Sequence, residues 1–457
     1  MSETFTQSNV TRHVAPGPPW YKSLSTMSQI RRDLIQFMKD SIDSYGEVVR
    51  YRFGPIIIHL FHHPDHVQHI LQGRHRNFCR SSFYDQMKLL LGEGLLTSDG
   101  DFWLKQRRLI QPAFHRKRLD TLAWIMSEEV DRLVERWKTI PSGEYFDVVE
   151  EMMRLALFIA GRSLFDTNIE AQAENIGEAL TYAQAGFNER INNLIPWPMW
   201  TPFPRFKKYR WALETLDKVV WDIIRARRDD TETHHDLLAM LTELRDADTG
   251  EGMSEQQIRD EVMTLLLAGH ETTGNQLSWT LYLLSQHPDV ADRVAEEARN
   301  VLGDRSPTSE DLRSLTYTKQ VLQESMRLFP PAWVMDRAVI EDDVIGGYTI
   351  PAKSVVLVSP FMTHRHPEFW DEPETFNPDR FSPENSKGRP RYAYFPFGGG
   401  PRQCIGNHFA MMEAQVALAV LARSFRFSLK PGHPIEKEML ITLRPKHGIQ
   451  LSLTPRD

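Results

Sequence analysis

From about Leu122 to Leu328 the apolar side chains recur every three or four positions, the period of a helix that buries one face. Helix therefore dominates the expected fold. The longest candidate opens at Ser254, with Gln257 completing a capping box, and stops at His287-Pro288, because the residue before a proline disfavours helix. That span is about 33 residues, or roughly 50 Å at the α-helical rise, so it must cross the molecule. Elsewhere the period shortens to two. VVRYRF and IIIHLF, flanking Gly54-Pro55 between Val48 and Phe61, read as a β-hairpin. A second strand pair is expected around Tyr348 to Ser359, and Phe425 to Leu453 alternates again, broken at Pro431-Gly432 and His447-Gly448. The Pro16-Gly17-Pro18-Pro19 cluster sets off residues 1–19 as a flexible tail, so folded structure is expected from Trp20. No internal repeat or low-complexity segment divides residues 20–457. They are expected to form one domain, mainly α with a small β-rich part (α+β).

With 41% apolar and 10% aromatic residues, the 457-residue chain can bury a large core, which excludes disorder. The balance of 54 Lys+Arg against 61 Asp+Glu gives −7, so there is no global basic field to make nucleic acid a partner. Cys79 and Cys404 are the only cysteines, too few for a disulfide framework and unsuited to a paired-cysteine zinc motif. The longest plainly apolar stretch, Val416 to Ala422, falls far short of the ~20 residues that cross a bilayer. Nor does the N-terminus contain the apolar core of a secretory signal. A cytoplasmic protein without a transmembrane anchor is expected.

The segment Phe395 to Asn407, FPFGGGPRQCIGN, surrounds one cysteine with Gly398, Gly399, Gly400 and Gly406. Glycines permit close backbone approach and unusual φ. A helix is expected to begin just after Cys404, and its N-terminal dipole would favour a thiolate. A lone cysteine beside a glycine-rich turn is more often an inert buried thiol. The full pattern is rarer: Phe397 seven residues before the cysteine, Gly400 four before, Arg402 two before and Gly406 two after. It resembles the cysteine-ligand loop of the cytochromes P-450, the haem-thiolate monooxygenases. The resemblance implies the fold of that family, with a long central helix over haem b (iron protoporphyrin IX). It also implies that Cys404 is the axial iron ligand within a cofactor-binding loop that includes Phe397 and Gly406, and that Arg402 pairs with a haem propionate. A thiolate ligand pushes electron density onto iron and favours O–O cleavage.

Three further motifs follow the family's order. LAGHETT, Leu267 to Thr273, lies mid-way along the long helix, where two threonines and a glycine are poor helix formers. Taken by itself, Thr272 would bond back to the carbonyl one turn earlier and bend the helix. The segment resembles the family's oxygen-activation motif at Ala268, Gly269, Glu271 and Thr272, which implies that Ala268 and Gly269 border the cofactor while Glu271 and Thr272 relay protons. His270-Glu271 also begins the HExxH zinc signature, but the second histidine position is Gly274, so His270 reads as an ordinary helix residue. Glu324 and Arg327, spaced i,i+3 in an apolar segment, need further partners if buried, and Arg380 is the candidate. The family's Glu–Arg–Arg arrangement is structural, so these three are not expected to be catalytic. Trp103 and Arg107 lie one helical turn apart and can reach one side together. The resemblance implies that both contact a propionate, as does Arg337 after Pro330-Pro331.

The same analogy lines the substrate pocket with Phe83 to Leu96, Phe187 to Pro204, Leu266 to Thr273, Ala332 to Met335 and the region of Leu440. Most of these residues are apolar or aromatic, which suggests a lipophilic small-molecule substrate such as a fatty acid or terpenoid, hydroxylated or epoxidised by O2. Trp197, Met199, Trp200 and Phe203 read as a pocket lid, with membrane contact as the alternative. Lys105, Arg107, Arg108, Arg116, Lys117 and Arg118 form a basic cluster that is either a solvated face or a dock for an acidic ferredoxin or flavodoxin. Because no reductase domain is expected to be fused, electrons should come from such a protein and its NAD(P)H reductase, with the enzyme a monomer. A peroxygenase is disfavoured by the Glu271-Thr272 pair, and a haem-based sensor by the lack of a signalling domain.

Overall fold

The computed structural model describes residues 13–167, 169–192, 204–229, 236–243, 245 and 250–456. Its axis is the helix Glu255–Gln286, 32 residues long, capped by the Ser254–Gln257 box and stopped at His287 before Pro288. Both faces of this central helix are covered, and several of its buried polar side chains bond along the helix or across to its neighbours, while the Thr264 hydroxyl is buried without a partner. Ser278 and Thr280 bond to the carbonyls of Gly274 and Gln276, both at 2.7 Å. Asn275 donates to Thr442 at 3.0 Å. Residue size decides how closely the next layer approaches. A Cβ on Gly274 would stand 2.6 Å from the Met153 sulfur of helix Val148–Phe165, so only glycine admits that crossing. The same packing explains why the second histidine of a zinc signature is missing, and His270 is buried and held neutral, its pKa pushed down to about 4 by burial.

Val48–Phe53 and Ile56–Phe61 form the expected hairpin. It continues in parallel through Val355–Val358 and then antiparallel through Met335–Val339 and Phe78–Cys79. The strand pair expected around Tyr348 to Ser359 is not one pair. Tyr348–Ile350 turns back on Asp343–Ile345 through Gly346-Gly347, whose φ values of 59° and 82° suit a tight hairpin turn, whereas Val355–Val358 joins the large sheet. Near the C-terminus, Gln450–Pro455 lies between Phe425–Leu429 and Phe146–Asp147, and Lys437–Met439 pairs with Leu443–Pro445.

Packing begins before the expected Trp20. Ala15 is buried, the His13 carbonyl accepts from Thr349 N–H, and that of Pro16 accepts from Arg50 N–H, both at 2.8 Å. Gly17 fits only because it lacks a Cβ, which would fall 1.8 Å from the Arg50 carbonyl oxygen. Among the described residues, no helix is long and apolar enough to cross a membrane.

Candidate active site

A cavity of about 730 Å³ opens beneath the central helix. Every sequence-predicted site residue lines it: Trp103, Arg107, Ala268, Gly269, Glu271, Thr272, Arg337, Phe397, Arg402, Cys404 and Gly406. The predicted pocket segments contribute Phe83, Leu96, Phe187, Ala332, Met335 and Leu440 among others. Trp197, Met199, Trp200 and Phe203 lie outside the described residues.

The cysteine wall is built by backbone. Cys404 N–H donates to the Phe397 carbonyl at 2.9 Å, closing the loop, and helix Asn407–Ser424 begins three residues on. Gly400 has φ 64°, and a Cβ there would stand 1.8 Å from the Leu71 carbonyl oxygen, so this turn demands glycine on both counts. The surface Cys404 exposes is the cavity's own, and protein atoms otherwise surround it. Burial pushes the thiol pKa up, while the Gly406 N–H directed at the sulfur and the Arg107 guanidinium pull it down. A metal cation would complete what those two groups begin, since a coordinating thiol is deprotonated outright.

Guanidinium groups crowd one edge of the cavity. Arg402 stacks 4.2 Å above the Trp103 ring, donates to the Ser98 carbonyl at 3.1 Å and pairs with Asp99. Its pKa is pulled down to about 10 by burial, with neighbouring Arg80 and Arg337 adding repulsion. Arg337 is buried and likewise lowered, first by desolvation and then by Arg80. Arg80 was not legible as a site residue. It follows a short strand in a segment without a motif, yet it lines the same edge, and its Nε is buried without a partner. Two carboxylates stand near these cations, Asp99 and Asp336, and burial raises the pKa of Asp336, so the edge suits a ligand that brings anionic groups of its own.

The facing wall is the central helix. Thr272 Oγ1 donates to the Ala268 carbonyl at 2.6 Å, the back-bond expected from sequence. Glu271 does not bond to Thr272. It accepts from the Thr442 hydroxyl, and burial raises its pKa while Thr442, Arg444 and Gln184 oppose the rise. Gln184 also accepts from Arg444 at 3.1 Å, and Arg444 pairs with Glu438 at 2.8 Å. Sequence reasoning missed Thr442 and Gln184, because their link to Glu271 is purely tertiary.

Glu324 and Arg327 are both fully buried and bidentate, at 2.7 and 2.9 Å, with Arg380 Nε 3.5 Å from Glu324. This triad stands outside the cavity lining. The basic cluster is partly dispersed. Arg107 faces the cavity and Lys105 pairs with Glu251 at 2.9 Å, while Arg108, Arg116 and Lys117 are exposed.

A family model described as Cytochrome P450 matches residues 15–453. Cyclooctatin synthase of Streptomyces melanosporofaciens is 35% identical over 455 residues, covering 98% of this chain and 96% of that protein. Cyclooctat-9-en-7-ol 5-monooxygenase of the same organism is 35% identical, covering 89% of this chain and 88% of that one. Pentalenene oxygenase of Streptomyces avermitilis is 33% identical, covering 94% of each.

Proposed function

The chain belongs to the cytochrome P450 family of haem-dependent monooxygenases, and from that premise we propose that it oxygenates a cyclic terpenoid at a site organised by Cys404. The observation that carries this reading is convergence: thiol, cation edge and the Ala268–Thr272 notch meet on one largely apolar cavity. These residues fit haem b. Cys404 would supply the thiolate ligand. Arg107, Arg337, Arg402 and Arg80, whose Nε is unpartnered, would with Trp103 hold the two propionates, and Phe397 and Gly406 would shape the cysteine loop. When bound, the haem supplies the redox chemistry that activates O2, and a thiolate ligand favours O–O cleavage.

The chain's own work is to position and to move protons. Ala268 and Gly269 keep the helix wall low, since neither projects beyond a methyl group. Thr272 Oγ1 holds a proton on the cavity side, lent to the Ala268 carbonyl when nothing else accepts it. Glu271, its pKa raised by burial, holds a proton more readily than an exposed carboxylate; the Thr442 hydroxyl is its proton-exchanging neighbour, while the Gln184 amide holds the carboxyl in place. Replacing Thr272 with Ala should leave electron consumption running while product per electron pair falls by about tenfold or more, with hydrogen peroxide as the sink. Assaying NAD(P)H use, peroxide and product together checks this, and unchanged coupling would remove Thr272 from the relay.

Phe83, Met87, Leu180, Phe187, Val334 and Leu440 make the remaining walls greasy, which favours a substrate recognised by buried apolar area. Pentalenene and cyclooctat-9-en-7-ol, named in two relatives, are of that chemistry. A panel of cyclic terpenes and fatty acids, titrated for a low- to high-spin shift, tests the class. Terpenes should shift the spectrum at lower concentration than fatty acids, and the reverse order would contradict the assignment.

Electrons come singly from an acidic ferredoxin or flavodoxin in the cytoplasm, with its NAD(P)H reductase. Helix Arg116–Leu119 packs against the cysteine helix, and Lys117 is exposed there. Reversing the charge at Lys117 and Arg118 to Glu should slow reduction by such a donor about tenfold at low salt, with substrate affinity unchanged. Stopped-flow reduction across ionic strengths measures it, and equal rates would place the dock elsewhere.

A further inference from the structure

Outside the cavity lining, three segments bring metal-ligating side chains together. Glu47 precedes the first strand, His63 and His66 belong to the start of helix Pro64–Gln68, and His366 and Glu368 follow helix Pro360–Thr363. One potential ligand atom from each of Glu47, His63 and His66 lies within 4.8 Å of the other two, and the same holds for Glu47, His366 and Glu368. The triads share Glu47 and are linked directly, with His63 Nε2 3.8 Å from Glu368 Oε2. Ring centroids of His63 lie 5.3 Å from His66 and 5.5 Å from His366.

We propose that Glu47, His63, His66, His366 and Glu368 form a binding site for a divalent transition-metal ion of the zinc type, separate from the haem site. Three features point to a cation. His66 Nδ1 is buried with no hydrogen-bond partner, so one imidazole donor is already desolvated and unused. The neighbouring His62, whose ring is 5.0 Å from that of His366, likewise has a buried Nε2 without a partner. Among the described residues, neither Glu47 nor Glu368 is paired with a lysine or arginine, so no side-chain cation occupies the place a metal would take.

Donor chemistry selects the ion. Imidazole with carboxylate suits zinc and its neighbours, whereas magnesium and calcium prefer all-oxygen sets. Zinc takes about four ligands at about 2.0–2.2 Å, so the ligand atoms must draw in from their present spacing. Glu47 and Glu368 are exposed and free to make that movement. His63 Nδ1 accepts Asp65 N–H at 3.2 Å and His366 Nδ1 accepts Glu368 N–H at 3.3 Å. Coordination through Nε2 moves the ring proton to Nδ1 and gives up these two long bonds, leaving both amides to water. The bound ion would tie the edge of the large sheet to the segment that follows His364, whose own ring receives Phe395 N–H at the start of the cysteine loop.

The test uses tag-free, haem-loaded protein treated with chelator and then titrated calorimetrically with zinc chloride, with magnesium chloride as control. One zinc per chain should bind in the micromolar range or tighter, raise the unfolding temperature and leave the Soret band unmoved. The double variant Glu47→Gln/Glu368→Gln, which changes two exposed side chains and so preserves the fold, should bind about tenfold more weakly or worse, and His66→Ala similarly. Equal zinc affinity in wild type and double variant would overturn the proposal, as would wild-type binding only at millimolar concentrations.

Discussion

Replacing Arg327 with Ala should destabilise the protein by about 3–5 kcal/mol, because it strips the buried Glu324 carboxylate of its bidentate partner. Arg327 is fully buried, and besides its bidentate contact with Glu324 it donates to the carbonyls of His364, Pro373 and Thr375 at 3.0, 2.7 and 3.2 Å. Without it, Glu324 keeps only Asn377 N–H at 2.9 Å and Arg380 at 3.5 Å, and three carbonyls lose their donor. The consequence reaches the active site in two steps. His364, whose carbonyl Arg327 holds, accepts Phe395 N–H through Nε2 at 2.9 Å and so anchors the chain entering the cysteine loop. Total stabilities are about 5–15 kcal/mol, so the variant should accumulate poorly and retain less haem per chain. Arg327→Lys should not rescue it, since one ammonium cannot reproduce the planar fork. Urea unfolding and the haem-to-protein ratio measure both effects, and an unchanged midpoint would show that the triad is dispensable.

Cys404→Ser should have the opposite profile, a folded protein without activity. The side chain faces the cavity and packs into no core cluster, while the loop is held by its own backbone bonds and by Gly400 against Leu71. Sulfur is nevertheless indispensable in this account, because a serine hydroxyl is neither as soft nor as readily ionised as a thiol beside Arg107 and the Gly406 N–H. Product formation should fall by more than the about 10–100-fold that outer partners of a metal site cost. A thermal midpoint close to wild type together with lost turnover is the expected pair of results. Retained turnover would remove Cys404 from the mechanism.

Local signals carried much of this architecture. The central helix announced both its ends, Ser254–Gln257 through a reciprocal cap and His287-Pro288 through proline sterics. The cysteine loop was legible because close backbone approach at Gly400 needs a glycine, and such demands leave a mark on composition. What stayed hidden is tertiary. Arg80 and Thr442 belong to no motif, and only the fold brings them to Arg402 and Glu271. The same holds for the Glu47 and His63 cluster, which joins the stretch from Glu47 to His66 with His366 and Glu368 far along the chain. The strand pair expected around Tyr348 to Ser359 does not form, because Gly346-Gly347 turns Tyr348–Ile350 back on Asp343–Ile345 and Val355–Val358 finds its partners in the large sheet. The basic run from Lys105 to Arg118 looked uniform in sequence, but helix geometry turns Arg107 inward and leaves Lys117 outside.

The central claim, that Cys404 ligates a haem iron as thiolate within this cavity, is tested most directly by reducing the purified protein, adding carbon monoxide and recording the difference spectrum. The account predicts a strongly red-shifted Soret band that disappears in Cys404→Ser. A haem spectrum without that band, or a chain that takes up no haem, would contradict it.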